Sequence, residues 1–310
     1  LTAQSLDNDI KSIKKAARKG IKKELDERVN QIIGKENIFL NENNEIIWKN
    51  NKIGKLKRGH DYLNPEIEVI TDESIEHETK IKLENFLKKW LDQHLSEVLG
   101  DLINLTKNKI ENQYLRALMF QLYEKNGVVK RDAVNHIVKL ISLDERKKLW
   151  AMGIKIGRYH IFLHKMLKPK AVTFRISLWK LFYNLSANLE IPQFGLNFLS
   201  NKNYNKEFLL LCGFENFKEH FVRIDILEKL FIKILGKTKK RKFKIDAEMM
   251  NLLGCSKEDF HKLMQNMNYK KDKKDKESYE FLGEVKKKDK NFKPFNNSSP
   301  FKKLLTLNLK

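Results

Sequence analysis

The stretch DAEMMNLLGCSKEDFHKLMQNMNY, residues 246–269, predicts two short helices on either side of a glycine turn. The first helix ends at Gly254, because glycine readily adopts the left-handed conformation that follows a helix, and Ser256 then caps the second. Apolar residues at helical spacing form the inner face of the second helix: Phe260, Leu263 and Met267. The stretch therefore predicts a small helical unit and favours a helical fold.

The same spacing of apolar residues continues over most of the chain. Helices are predicted at Leu6 to Ile32, 72 to Gly100, 111–125, 131–141, 143–152, Pro169 to Leu185, 204–212 and Arg223 to Gly236. Ser142 and Glu145 form a capping box at the start of the helix 143–152. With only 5 Pro and 13 Gly among 310 residues, long helices are favoured over a β-rich fold.

One region instead has the alternation of apolar and polar residues that is typical of strands. Three short strands separated by Asn-rich turns are predicted at 38–40, 46–48 and 52–56, with a fourth at 67–70. Residues 154–163 are compatible with either a strand pair or a buried loop, and 191–203 are predicted to be a loop. From Lys270 the chain is polar and highly charged, which is typical of disorder.

These patterns predict a mainly α protein with a small antiparallel β element: a multi-helix accessory region followed by a disordered basic tail. The predicted units are a long basic helix with the β meander (1–71), a helical domain (72–236), a basic run with a helix-turn-helix-like unit (237–269) and a Lys-rich tail (270–310).

The strongest compositional feature is positive charge, with 62 Lys and Arg against 40 Asp and Glu and a formal net charge of +22. Such a surplus attracts polyanions, and displacing counterions from a phosphate backbone drives binding. The candidate nucleic-acid-binding residues are Lys11, Lys14, Lys15, Arg18 and Lys22 on the first helix, Lys55, Lys57, Arg58 and Tyr62 near the third strand, and Lys239, Lys240 and Arg241. Solvated helix faces, or a lysine bias of an AT-rich genome, are the alternative interpretation.

No catalytic or cofactor site is predicted within this chain. Gly54 and Gly59 have the spacing of a phosphate-binding loop, but His60 and Asp61 follow where Lys and Ser or Thr are required. At Gly236 the later half of that motif occurs without its earlier glycine. His160 and His164, four residues apart, lack the third ligand of a metal site.

Two cysteines, Cys212 and Cys255, exclude a disulfide framework and a four-cysteine zinc site, and a reducing cytoplasmic setting is expected. No apolar run approaches the ~20 residues that span a bilayer, so no membrane partner is predicted. The chain begins at Leu1 within a helical pattern, which predicts a piece of a longer protein.

Several stretches, in order, resemble one family. They are Leu1–Asp7 before a basic helix, Ile46–Trp48 leading to Lys57–Gly59 with Pro65 and Val69–Ile70, Leu167–Ala171, Val222–Leu230 and Leu252–Phe260. Together they are similar to the C-terminal region of alphaproteobacterial superfamily-two ATP-dependent helicases, which resemble the RNA helicase of the mitochondrial degradosome. The similarity extends to about Tyr269.

The resemblance implies that two ATP-hydrolysing motor domains, with their ATP and Mg²⁺, lie upstream of this chain. It implies single-stranded RNA or DNA, the protein's own motor domains and a nuclease or other degradosome-like protein as partners. The expected function is therefore a helicase accessory region that guides a single strand. The alternatives are a helical scaffold for protein interactions, and a duplex-binding regulator that uses residues 247–267 as a helix-turn-helix.

Overall fold

The protein is represented by a computed structural model that describes residues 38–70, 77–107, 110–185, 189–200, 205–239, 241–272, 275 and 277–281. It also describes helical positions 20, 23, 24, 27 and 29–32. Within these ranges the chain is mainly helical with small antiparallel sheets, so the predicted fold class is confirmed.

The predicted β meander is present as a four-stranded antiparallel sheet. It consists of β1 (Ile38–Leu40), β2 (Glu45–Trp48), β3 (Asn51–Asp61) and β4 (Asn64–Val69), in that order. Strand β3 is twice as long as predicted and carries a register shift between Lys57 and Asp61. The sheet buries Ile46, Trp48 and Leu56 against the helix that follows.

That helix, α1 (His77–Lys107), continues past Gly100, where the sequence had predicted its end. The prediction was wrong because the buried stripe of the helix goes on through Leu99, Leu102 and Leu105. Burying these leucines outweighs the cost of about 1 kcal/mol for one glycine inside a helix.

The next elements form a first small module. They are α2 (Gln113–Glu124), β5 (Val128–Lys130), α3 (Arg131–Val138), α4 (Leu143–Ala151), β6 (Ile154–Ile156) and β7 (His160–Leu163). The sheet order is β5-β7-β6, with both pairings antiparallel. The capping box of Ser142 and Glu145 starts α4 as predicted, and residues 154–163 are a strand pair rather than a loop.

A similar connectivity returns in a second module after a 3₁₀ turn at His164–Leu167, with one described helix rather than two between its first strand and its hairpin. Its elements are α5 (Pro169–Phe182), β8 (Phe198–Ser200), α6 (Lys206–Leu211), β9 (Phe214–Phe217) and β10 (His220–Arg223), with sheet order β8-β10-β9. Residues 201–204, between β8 and α6, lie outside the described ranges. Strand β8 corrects the prediction of a loop over 191–203.

A third module contains the stretch from which the sequence analysis began. It comprises α7 (Ile224–Lys237), β11 (Lys242–Lys244), α8 (Ala247–Leu253), α9 (Lys257–Asn266), β12 (Tyr269–Lys271) and β13 (Ser278–Phe281), with sheet order β11-β13-β12. Asp246 and Ser256 cap its two short helices, and Gly254 is left-handed between them. The prediction of disorder from Lys270 was wrong for strands β12 and β13, because Tyr279 is fully buried in this sheet.

The modules also share the geometry of the turn that leads into each hairpin. A residue with positive φ follows the last helix in each case: Gly153 (φ +80°), Gly213 (φ +90°) and Asn268 (φ +65°). A buried residue precedes each of these by four positions, namely Leu149, Leu209 and Met264, and a buried one follows, namely Ile154, Phe214 and Tyr269. Helix, strand, helices and a two-stranded hairpin in this order give the connectivity of a winged helix-turn-helix.

Two hydrophobic cores extend across boundaries drawn from the sequence. The largest core joins Trp48 and Leu56 of the meander to Leu87 of α1 and to the first module, on both sides of residue 71. Another core joins Leu230 of α7 to Phe243 and Tyr279, on both sides of residue 236. Residues 282–310, including most of the predicted tail, lie outside the described ranges.

Candidate nucleic-acid interface

The candidate residues of the first helix (Lys11, Lys14, Lys15, Arg18 and Lys22) lie outside the described residues, as does Lys240. The remaining candidates fall on two separate parts of the molecule. One group is on the meander, at Lys55 to Tyr62, and the other lies between α7 and β11, at Lys239 and Arg241.

On the meander, the exposed lysines of β3 stand among carboxylates. Lys55 is opposite Glu45 in β2 and Glu68 in β4, and Lys57 is opposite Glu66. The Lys57 ammonium lies 2.7 Å from Glu68 Oε1, and the Lys52 ammonium lies 2.7 Å from Glu45 Oε1. Because the glutamates of this sheet offset its lysines, the positive potential that a phosphate would meet there is reduced.

Arg58 and Tyr62 are held by packing rather than presented for stacking. The Arg58 guanidinium lies over the ring of Phe182 in α5, 4.8 Å from its centroid. Tyr62 packs against the main core, and its hydroxyl is buried without a hydrogen-bond partner in the described residues. Burial raises the pKa of the Tyr62 phenol, and with its outer end buried the ring is poorly placed to stack on a base.

The second basic group forms a tight turn at the start of the third module. Lys239 and Lys242 exchange backbone hydrogen bonds of 2.8 and 2.9 Å, which places exposed Arg241, with φ +66°, in the turn between them. The Lys242 ammonium is paired with Asp272 at 2.6 Å, and this bond raises the pKa of Lys242. Lys239 and Arg241 are exposed in this turn, and Lys237, Lys242 and Lys244 of the predicted basic run are exposed next to it.

An exposed aromatic residue that the sequence analysis missed lies on α4. Trp150 is 71% exposed and Leu143 is 74% exposed, a feature that the sequence analysis did not predict although it predicted their helix. Leu143, Lys147 and Trp150 follow each other at steps of four and three and so share one face of α4. Leu149 is the only buried residue of this helix. The sequence alone did not show which side of the helix is buried, and so it did not show that Trp150 faces outward.

The face on α4 has the chemistry that single-stranded nucleic acid prefers. Lys147 shares the face of Trp150 and is exposed, with its ammonium 3.0 Å from Asp144 Oδ1. Lys148 is exposed on the side of the helix next to Lys147, so cations for phosphates and a ring for a base lie on the same helix. In a helix-turn-helix, the corresponding second helix is the one that contacts nucleic acid. The first module as a whole, residues 113–163, carries ten Lys and Arg against four Asp and Glu.

The glycines that suggested a phosphate loop have structural roles. Gly54 and Gly59 lie inside strand β3, and neither precedes a helix. At Gly54 an added Cβ would lie 3.3 Å from the Glu68 carbonyl oxygen and 3.3 Å from Leu87 Cδ1, so close packing requires the glycine. Gly236 lies in the last turn of α7.

The two histidines considered as metal ligands lie in different environments. His160 is buried, and its Nε2 lies 2.6 Å from Glu215 Oε2, whereas His164 begins the 3₁₀ turn. Burial lowers the pKa of His164. Within the described residues no group of three or more His, Cys, Asp and Glu side chains is arranged to hold a metal ion. No described helix is long and apolar enough to cross a membrane.

Histidine and carboxylate contacts join successive modules at repeated positions. His160 starts β7 in the first module and contacts Glu215 of the second, whose other oxygen lies 2.6 Å from the Lys130 ammonium. His220 starts β10 in the second module, and its Nε2 lies 3.8 Å from Asp259 of the third. Desolvation lowers the pKa of His220, whereas the bonds from His160 and Lys130 hold the pKa of Glu215 low despite its burial.

A carboxylate on α7 anchors the hairpin of the first module. Glu228 accepts hydrogen bonds from three successive backbone amides, those of Arg158 (2.6 Å), Tyr159 (2.8 Å) and His160 (3.1 Å). A Cβ on the adjacent Gly157 would collide with this carboxylate, which explains the glycine. Successive amides that converge on one anion form a nest, so the first and third modules are rigidly connected here.

Replacing Glu228 by Ala is expected to lower the free energy of unfolding by about 2–3 kcal/mol. Three backbone amides would lose a charged acceptor, and hydrogen bonds to charged groups contribute about 1.5–3 kcal/mol each, partly replaced by water at this half-buried position. Urea denaturation would measure the change. Glu124→Ala, at an exposed position on α2, is the matched control and should change stability by less than about 0.5 kcal/mol. Equal effects of the two substitutions would contradict the anchoring role.

No known protein family, curated protein or solved structure matches this chain.

Proposed function

We propose that this chain is the nucleic-acid-binding accessory region of an ATP-dependent helicase, and that it guides single-stranded RNA or DNA beside motor domains outside the chain. The observation that carries the proposal is the exposed surface of α4, where Trp150 shares one face with Lys147, and Lys148 is exposed next to that face. Its place in the second helix of a helix-turn-helix supports this use, since that helix commonly contacts nucleic acid.

The charge distribution supports binding through phosphates without strong sequence preference. The formal net charge of +22 is accompanied by lysines on all three modules. The exposed turn of Lys239 and Arg241 adds positive charge to the third module. Contacts of this kind neutralise phosphates and carry no sequence information, so affinity should depend on salt more than on base composition.

The helicase part of the proposal rests on the ordered resemblance described above, and the binding part rests on the α4 face. The motor would supply ATP hydrolysis, for which this chain contributes no residue. A strand held on Trp150 and neighbouring lysines can slide from base to base, because every base offers a ring face for stacking.

Replacing Trp150 by Ala tests the proposal. Affinity for a single-stranded RNA oligomer should fall about 5- to 150-fold, the equivalent of about 1–3 kcal/mol for one stacked base. Fluorescence anisotropy would measure the affinity. The control is Phe120→Ala, another exposed aromatic residue, on α2, and it should leave affinity within about twofold.

A double substitution compares the two candidate surfaces directly. Lys147→Ala with Lys148→Ala should lower the salt slope of binding by about one or more, because the one carboxylate paired with Lys147, that of Asp144, is itself 84% exposed. Lys55→Ala with Lys57→Ala should change the slope less, because three glutamates on the adjacent strands face those lysines. Undetectable binding at low salt, tighter binding to duplex than to single strand, or ATP hydrolysis by this chain alone would each contradict the proposal.

A protein-interaction scaffold is the second candidate, and one observation favours it. Leu143 is exposed on the same face of α4 as Trp150, and Leu140 is exposed before that helix, which makes this part of the surface more apolar than a nucleic-acid site requires. If Trp150→Ala leaves oligomer affinity unchanged but weakens binding to the purified motor domains, this second function replaces the first.

A further inference from the structure

The hairpin of the first module, strand β9 of the second and the end of α9 in the third enclose a cavity of about 220 Å³. Its lining includes side chains from all three modules: Lys130, Tyr159, Glu215, Phe217, Asn266 and Phe281. The cavity therefore exists only when the modules are assembled as they are here.

The size of the cavity limits its ligand. Pockets for drug-sized molecules are commonly about 300–1,000 Å³, so this one suits a single ring system rather than a complete dinucleotide. Its mouth is open, because Tyr159, Phe217 and Phe281 are only partly buried. A flat group can therefore enter while whatever it is attached to remains outside.

The side chains that line the cavity provide aromatic rings, the amide of Asn266 and the ammonium group of Lys130. Tyr159 and Phe217 meet edge to face, with centroids 6.2 Å apart, and Phe281 lies on the third module's edge of the same cavity. The Asn266 amide nitrogen lies at long hydrogen-bond distances from two acceptors, 3.4 Å from the Phe217 carbonyl oxygen and 3.3 Å from His220 Nδ1. The Lys130 ammonium, on a side chain 57% exposed, stands at Glu215. Unstacked bases are held by aromatic faces and by hydrogen bonds to their edges, with cations at the phosphate.

The polar part of the lining is firmly positioned. The Glu215 carboxylate lies between Lys130 and His160 at 2.6 Å from each, and Glu228 fixes the backbone of the hairpin that carries Tyr159. His160 is buried, and its Nδ1 has no hydrogen-bond partner within the described part of the chain. A site held in this way loses little conformational entropy when it is filled.

We propose that this cavity binds one unstacked nucleobase, against the rings of Tyr159, Phe217 and Phe281 that line it, with the attached phosphate near Lys130. When the base belongs to a bound strand, the inference rests on the proposed function. When the base belongs to a free mononucleotide, it does not.

Photocross-linking of a single-stranded oligomer containing one 4-thiouridine tests the site in the unaltered protein. Cross-links are expected at the cavity, on Tyr159, Phe217 or Phe281. Phe217→Leu, which retains apolar bulk without a ring, should lower oligomer affinity about five- to tenfold and remove the cross-links. The matched control is Phe39→Leu on strand β1, where the ring is exposed and outside the cavity.

The outcomes separate the two proposals. If the oligomer binds but cross-links only to other surfaces, and Phe217→Leu behaves like Phe39→Leu, the cavity proposal is overturned and the proposed function stands. If no oligomer binds, the proposed function fails, and NMR titration with uridine and adenosine monophosphates decides the cavity. Shifts confined to the lining residues would assign it to free nucleotides, and their absence would overturn it.

Discussion

Replacing Arg175 by Met is expected to lower the free energy of unfolding by about 3 kcal/mol or more. Arg175 is completely buried in α5, and its guanidinium donates hydrogen bonds to the carbonyl oxygens of Asn126, Met166 (2.7 Å) and Leu211 (3.1 Å). Met would fill the volume but leave these three acceptors unpaired in the core, and each unpaired buried group costs about 1–3 kcal/mol.

The three carbonyl oxygens explain why this loss should be felt across the fold. Asn126 lies in the turn that follows the first helix of the first module, Met166 lies in the 3₁₀ turn between modules, and Leu211 ends α6. One guanidinium therefore connects three turns of the chain. Burial lowers the pKa of Arg175 to about 10, which still leaves the side chain charged at neutral pH.

Two further variants make the test specific, with chemical denaturation as the measurement. Arg175→Lys should also destabilise the protein, because one ammonium lacks the planar fork that reaches several acceptors. Arg116→Met, at an exposed position on α2, should change stability by less than about 0.5 kcal/mol. A stable Arg175→Lys variant would refute the need for the fork.

Replacing Gly59 by Ala is expected to destabilise the protein by about 3 kcal/mol. An added Cβ would collide with the Asn64 carbonyl oxygen and lie 2.9 Å from the Asn64 carbonyl carbon and 3.1 Å from Pro65 Cα. These are backbone atoms of β4, so the strand itself would have to move, and forced repacking of this kind costs about 1–3 kcal/mol or more.

Gly100→Ala is the control for Gly59→Ala and should have the opposite sign. Gly100 lies inside α1, and an added Cβ would meet only Ser96 Oγ at 3.8 Å, an ordinary contact. Alanine is more favourable than glycine in a helix by about 0.5–1 kcal/mol, so this variant should be more stable than the natural protein. Thermal denaturation would measure both variants, and a Gly59→Ala variant as stable as Gly100→Ala would contradict the close approach of β4 to Gly59.

The helices were largely predictable because their signals are local. The capping box of Ser142 and Glu145 and the left-handed turn at Gly254 act over a few residues and appear where expected. Short strands were harder. The hairpin of β9 and β10 consists of two four-residue strands, and apolar runs of that length do not distinguish strand from helix.

The strand pair β12 and β13 was missed for a different reason. Its lysines and acidic residues suggested a disordered tail, yet Tyr269 and Tyr279 between them are buried. Both tyrosines pack in one hydrophobic core with Phe243 and Phe260, and this packing holds the charged hairpin in place. The average composition of this segment is dominated by its charged residues, so it does not show that two tyrosines within it are buried.

Local spacing, caps and turn residues were enough to establish a basic, mainly helical chain with a β meander, because each of these signals acts between near neighbours in sequence. They could not establish which charges and rings are available for binding. Glutamates on adjacent strands offset Lys55 and Lys57, the core covers Tyr62, and Trp150 faces outward. These outcomes depend on contacts between residues far apart in sequence, which exist only after the modules have packed together.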